Sequence, residues 1–161
     1  MPKFGYSIPE LDTERTVKAS GRELRISFKH AREVCKTIKG MHLDKAKRYM
    51  EQVIAKEHPV PFRRFTKKLG HRHGMQKAMV GKYPVKAATE ILKVLESAEG
   101  NAEFKGLDIE RLHIIHASAY PGTKLKRAIQ RAFGRSSPKN KTFTHVEIVL
   151  EEREERGEEV T

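Results

Sequence analysis

Tryptophan is absent from the 161 residues, cysteine occurs once, and aromatic side chains make up only 7%. A single cysteine, Cys35, excludes an intrachain disulfide and a multi-thiolate zinc site, and it suits a reducing compartment. No apolar run approaches the ~20 residues that span a bilayer, and the first twenty residues hold no signal-like apolar stretch. The expected setting is therefore soluble and cytoplasmic, without membrane insertion. Hydrophobic residues at 37% allow one small core in one domain, too little to enclose a large active-site cavity.

Acids are the next scarcity, and it is local. Lys and Arg total 33 against 21 Asp and Glu, a net charge of +12. From His58 to Lys82 there are seven cations (Arg63, Arg64, Lys67, Lys68, Arg72, Lys77, Lys82) and no acid. From Pro121 to Lys141 there are again seven (Lys124, Lys126, Arg127, Arg131, Arg135, Lys139, Lys141) and again no acid. The run from Glu151 to Thr161 goes the other way, with six Glu against two Arg. A mixed-sign run reads as a solvated face, but acid-free runs lack the neighbours that offset self-repulsion, and a polyanion supplies them. Pro59, Pro61, Gly70, Gly74 and Gly81 in one segment, and Pro121, Gly122, Gly134 and Pro138 in the other, break any long amphipathic helix. That disfavours a membrane surface and favours nucleic acid.

Hydrophobic spacing sketches the body. Alternation of Leu24, Ile26 and Phe28 predicts a short strand, and Ser27 is placed to cap a helix whose face is Ala31, Val34, Cys35 and Ile38, stopped by Gly40. A second helix follows with Leu43, Ala46, Met50 and Val53 on one face, and the two are expected to pack as neighbours. Pro84 opens a third and longest helix carrying Ala88, Ile91, Leu92, Leu95, Ala98 and Ala102, stopped by Gly106. Period two then returns, with Leu112, Ile114 and His116 against His113, Ile115 and Ala117, and with Thr144, Val146, Ile148 and Leu150 against Phe143, His145, Glu147 and Val149. These strands form a hairpin whose far part has too few apolar residues to lie on the core, so it projects. The predicted class is α+β: a small antiparallel sheet packed with three helices, plus a long projecting β-hairpin. One domain is expected over 1–161, with a body at about 12–57, 83–119 and 143–152, a basic insertion at 58–82, an extended hairpin at 120–142 and an acidic tail at 153–161.

Eight histidines raise metal or acid-base chemistry. On a regular strand His113 and His116 face opposite sides, so they share a metal only if the strand is bulged. His71 and His73 sit among cations that oppose a metal and favour phosphate or base contacts. No carboxylate lies within two residues of either histidine pair, and no phosphate-loop, dinucleotide or nucleophile-elbow pattern is present. No enzyme activity, metal or cofactor is expected, an RNA-processing enzyme using histidines being the rival. Rings interleaved with guanidinium groups, Phe62-Arg63-Arg64-Phe65 and Arg131 to Arg135 around Phe133, suit stacking on unpaired bases. Phe62 and Phe65 equally suit anchoring the loop to the core, whereas Phe133 lies too far out for that.

The run LRISFKHAR from Leu24 to Arg32, Gly40, Ala46, the helix Ala87 to Ala102, RAFGR from Arg131 to Arg135 and THVEIVL from Thr144 to Leu150 together resemble the family of ribosomal large-subunit protein twenty-two, in its archaeal and eukaryotic form. The likeness spans about Glu23 to Glu152. It implies a structural constituent of the large ribosomal subunit that binds large-subunit ribosomal RNA, supports assembly and lines the polypeptide exit tunnel with its hairpin. The implied partners are that RNA, neighbouring ribosomal proteins near the tunnel exit, and the nascent chain passing the tip at Arg131, Gly134 and Arg135. It also implies that 55–82 is an insertion relative to bacterial members. By position and composition the RNA-binding residues are Arg25, Lys29, His30, Arg32, the cations of both segments, His71, His73 and Phe133.

Overall fold

Three helices lie on one face of a three-stranded antiparallel sheet in the computed structural model, which describes residues 5–8, 11–75 and 80–153. In chain order the elements are β1 (Thr16–Leu24), α1 (Phe28–Ile38), α2 (Leu43–Ile54), β2 (Val60–Pro61), β3 (Gly81–Lys82), α3 (Val85–Lys105), β4 (Leu112–Leu125), β5 (Ala128–Gln130), β6 (Ser136–Pro138) and β7 (Lys141–Glu152), with a 3₁₀ turn at Ile109–Arg111. The sheet order is β1-β7-β4, so the last of the described strands is the central one. Directly opposed residues share a face. The rows Val17-Leu150-Ile114, Ala19-Ile148-Ala117 and Gly21-Val146-Ala119 therefore line the core.

In the last two rows the large side chains come from β7 and the small ones from the edges, and on β1 this lets α3 cross close. A Cβ on Gly21 would stand 2.8 Å from both Val94 Cγ2 and Leu24 Cδ1. The helices bury the faces that spacing picked out. Ala31, Val34, Cys35 and Ile38 of α1, and Leu43, Ala46, Met50 and Val53 of α2, are closed to solvent. A fully buried Leu or Ile contributes about 1.5–3 kcal/mol. Burial in this apolar setting pushes the Cys35 thiol up to about 12, which leaves it an inert core group. On α3 the buried set gains Ala87 and Val94, while Leu92 is only partly covered. Gly106 takes a left-handed φ of 78° and ends that helix, with Leu107 N–H donating to Ala102 O at 3.1 Å. Such a cap favours glycine because a Cβ is strained there.

Three expectations change. The strand ends at Leu24 instead of beginning there: Ile26 is in a bend and Phe28 begins α1. Ser27 does occupy the N-cap, but its side chain makes no capping hydrogen bond. Nor do the two short helices pack along each other. α2 lies chiefly along α3, and α1 rests on β4. Their turn is stitched to the sheet edge, with Gly40 N–H donating to Ile114 O at 2.7 Å and Ile114 N–H donating to Met41 O at 2.9 Å. This covers part of β4 that would otherwise be an open edge. The opposite face of the sheet is partly covered by residues 5–8, where Ser7 N–H and Oγ–H donate to Glu147 Oε2 at 3.2 and 2.9 Å.

Beyond Ala119, β4 and β7 continue as the arms of the projecting hairpin. They pair as far as Lys124-Thr142 and Leu125-Lys141, and β5 with β6 carries the ladder to Gln130-Ser136. Leu125, Ile129 and Phe133 are exposed, so the arms find no core to lie on.

Candidate nucleic-acid interface

Each basic extension is held at its root by a carboxylate from the body. Glu33 of α1 is 1% exposed. Its oxygens accept from the backbone N–H of Arg63 at 3.1 Å, Arg64 at 3.0 Å and Phe65 at 3.4 Å, and from Arg32 Nη1 at 3.3 Å. A carboxylate with backbone donors is among the strong hydrogen-bond acceptors. The loop begins there at a fixed place, and its neck is closed by β2 and β3, with Val60 opposite Lys82. Glu23 does the same for the hairpin. Its Oε1 accepts from Thr123 Oγ1 at 3.1 Å and lies 3.2 Å from His145 Nε2. A Cβ on Gly122 would come 2.8 Å from His145 Nε2 and 3.0 Å from Glu23 Oε1, so a larger residue there would displace this pair.

Glu33 fixes the aromatic pair. Phe62 is buried and touches His30 edge-on at 5.4 Å, so its role is anchoring. Phe65 is half-buried beside Phe28, ringed at 5.5–5.8 Å by Lys29, Arg32 and Arg64. Lys29, His30, Arg64, Lys67, Lys68 and Lys82 line the cleft around these rings. The cleft continues past His30 and Lys82 to Arg25 and Lys86. It then opens into a hollow of about 810 Å³ between α3 and the hairpin root, where Asn140 and Lys141 join Arg25 and Lys86. One acid borders that hollow, Glu90, and Lys93 Nζ holds it at 3.0 Å.

Like charges crowd this groove. Desolvation, together with the Arg25, Arg127 and Lys86 cations, lowers the Lys141 pKa. Desolvation and then Lys82 lower that of His30. Beyond desolvation, the neighbouring cations contribute to both shifts, and an anion would relieve that part. Of the remaining sequence-selected residues, Arg63 is exposed, Arg72 lies 5.5 Å over the Tyr83 ring, and His71 bridges to Val80 across the loop. His73 sits in an exposed turn, and Lys77 is outside the described residues. Lys124, Lys126, Arg131, Arg135 and Lys139 are spread along the exposed hairpin. At its tip Arg131 N–H donates to Arg135 O at 2.7 Å, with Phe133 and Gly134 both at positive φ. The acidic tail beyond Arg153 is also outside the described residues.

Lys86 was missed by sequence reasoning because it reads as an ordinary helix position. Its place at the hairpin root follows only from tertiary packing. Glu33 and Glu23 were missed for the same reason. Histidine geometry needs one correction. β4 is bulged between Ile114 and His116, which brings His113 and His116 to the same face after all. They remain separately engaged, His113 edge-on to His42 at 5.1 Å and His116 Nε2 at 2.8 Å from Ser118 Oγ. Among the described residues no group of three or more His, Cys, Asp or Glu is arranged to hold a metal.

A small body with two cationic extensions, joined by a cationic groove, defines a scaffold protein suited to an extended polyanion. Comparison with known proteins makes this specific: the chain belongs to the ribosomal protein L22p/L17e family, whose model matches residues 19–151. It is 55% identical over 159 residues to the large ribosomal subunit protein uL22 of Methanopyrus kandleri, covering 95% of this chain and the whole of that one. The same-named proteins of Methanocaldococcus jannaschii and Cenarchaeum symbiosum are 50% and 49% identical over 152 residues, covering 94% of this chain and 97% and 99% of theirs. Family members are structural proteins rather than enzymes, which removes the RNA-processing alternative. Among the described residues no helix is long and apolar enough to cross a membrane.

Proposed function

We propose that this structural constituent of the large ribosomal subunit binds large-subunit ribosomal RNA along the groove from Lys67 to Lys141. The loop 58–82 and the hairpin 120–142 serve as its two RNA-facing extensions, and its setting is the cytoplasmic ribosome. The observation that carries this reading is the continuity of the cationic groove between the two extensions, with Lys141 crowded by Arg25, Arg127 and Lys86. Phosphates neutralise such a track and release condensed counterions. The hairpin, exposed along both arms, supports assembly and lines the polypeptide exit tunnel, with Arg131, Gly134 and Arg135 meeting the nascent chain. Neighbouring ribosomal proteins near the tunnel exit complete the surroundings.

Filter binding to an isolated large-subunit RNA fragment at several salt concentrations tests the reading. The unmodified chain should lose affinity steeply with salt. Gln at Arg63, Arg64, Lys67 and Lys68 should flatten the slope by about three to four, close to one for each phosphate no longer neutralised. Gln at Lys124, Lys126, Arg127, Arg131 and Arg135 should change capture little and impair late maturation instead, because the hairpin acts inside a folded particle. Equal losses of slope for the two variants refute the division of labour, and salt-independent binding removes the electrostatic basis altogether.

A further inference from the structure

Far from the groove, α3 carries a surface that no described residue covers. Phe104 is 97% exposed. One turn before it, Gly100 stands in the interior of a regular helix. Glycine there weakens a helix relative to alanine, so its presence calls for a physical reason. The chain itself supplies none: a Cβ on Gly100 meets no atom within 4 Å, and its backbone is not left-handed. At about 100° per residue, Ser97 and Phe104 flank Gly100 on one side and Glu96 and Glu103 on the other. All five are exposed.

The charge of this face is opposite to that of the groove. Glu96 and Glu103 pair with no cation among the described residues. Nearby cations are already taken, Lys93 by Glu90, Lys47 by Glu99, and Lys105 by the carbonyls of Thr13 and Thr16. From Lys86 in the groove to Phe104 is about 27 Å along the helix. A flat spot beside an exposed ring lets a neighbour's backbone approach closely while the ring enters a hollow, the usual form of an interface anchor.

We propose that the Glu96–Phe104 face of α3 is a docking surface for a basic segment of a neighbouring protein in the large subunit. The segment lies across Gly100, encloses the Phe104 ring and brings Lys or Arg to Glu96 and Glu103. This rests on the ribosomal placement proposed above. RNA is disfavoured as the occupant because two unpaired carboxylates repel phosphates.

The test uses intact large subunits. Phe104→p-benzoylphenylalanine is introduced, purified subunits are irradiated, and the adduct at position 104 is mapped by mass spectrometry. A Lys- or Arg-rich peptide of another protein is the expected partner. A crosslink to RNA, or none from subunits that contain the substituted chain, overturns the proposal. Two further variants compete with the unmodified chain in the same cells. Gly100→Ala should raise the Tm of the free protein by about 1–4 °C yet lower its share in large subunits at least threefold. Phe104→Ala should leave Tm within about 1 °C and lower its share similarly. Equal shares for both variants also overturn the docking surface. Absence of the unmodified chain from large subunits would instead sink the ribosomal placement, so the two failures are distinguishable.

Discussion

Replacing Glu33 isolates the link between body and basic loop. Its carboxylate holds the Arg63 and Arg64 amides at 3.1 and 3.0 Å, with a longer contact to Phe65 at 3.4 Å. A hydrogen bond to a charged group contributes about 1.5–3 kcal/mol. Arg32 adds little, because at 28% exposure its ion pair is screened by solvent. Glu33→Gln keeps one oxygen but turns an NH₂ toward a backbone donor, so one bond is lost and the expected destabilisation is about 2–3 kcal/mol. Glu33→Ala removes both acceptors, and water entering at the exposed loop limits the loss to about 3–5 kcal/mol. Against a typical total of about 5–15 kcal/mol, the Gln variant remains folded and is the informative one. Urea unfolding gives the energy, and amide exchange reads the two amides directly. In Glu33→Gln protection should fall at whichever of the two amides faces the new NH₂, while that of the Val146, Ile148 and Leu150 amides persists. A change below about 0.5 kcal/mol, with the Arg63 and Arg64 amides still protected, would refute the clamp.

Gly21→Ala should cost about 1–3 kcal/mol, since its methyl would lie 2.8 Å from Val94 and Leu24 atoms and separate β1 from α3; an unchanged urea midpoint would show that the packing yields. Acid should weaken the fold through His30, whose folded pKa lies below 6.5 because of desolvation and Lys82. The native state binds fewer protons than the unfolded chain, so this stability is complete above about pH 6.5 and declines as the pH falls below it. His30→Gln should flatten that decline in urea midpoints taken between about pH 7.5 and 5, and an unaltered slope would exclude His30 as its source.

The three helices were legible because their buried faces repeat at 3.6 residues, with Gly40 ending α1, Gly106 ending α3, and α2 running out at Ile54, ahead of Pro59. β1 was not. Its core-facing positions are Val17, Ala19 and Gly21, and the last two must be small to admit α3, which erases the hydrophobic alternation that marks a strand. Leu24, Ile26 and Phe28 alternate for another reason, as the chain leaves the sheet through a bend and enters α1. The bulge after Ile114 was invisible because an extra residue changes pairing without changing composition. In the groove, charge density picked out the two extensions. It could not show that Arg25, Lys86 and Lys141 meet, since they are distant in sequence and only the fold unites them. The acid-free rule also obscured Glu33 and Glu23, because the counter-charges for the extensions' roots lie outside the extensions themselves.

The strand order β1-β7-β4 has a bearing on how the protein is made. Because β7 comes after every other described element, β1 and β4 are synthesised without the strand that lies between them and have no native pairing partner until it arrives. The sheet closes only when residues near the C-terminus meet residues near the N-terminus, Glu151 opposite Thr16, and such non-local pairing is slow. Until then two strand edges stand open to other chains. A chain truncated before Lys141 lacks the central strand altogether, so it should aggregate instead of working as a shorter protein.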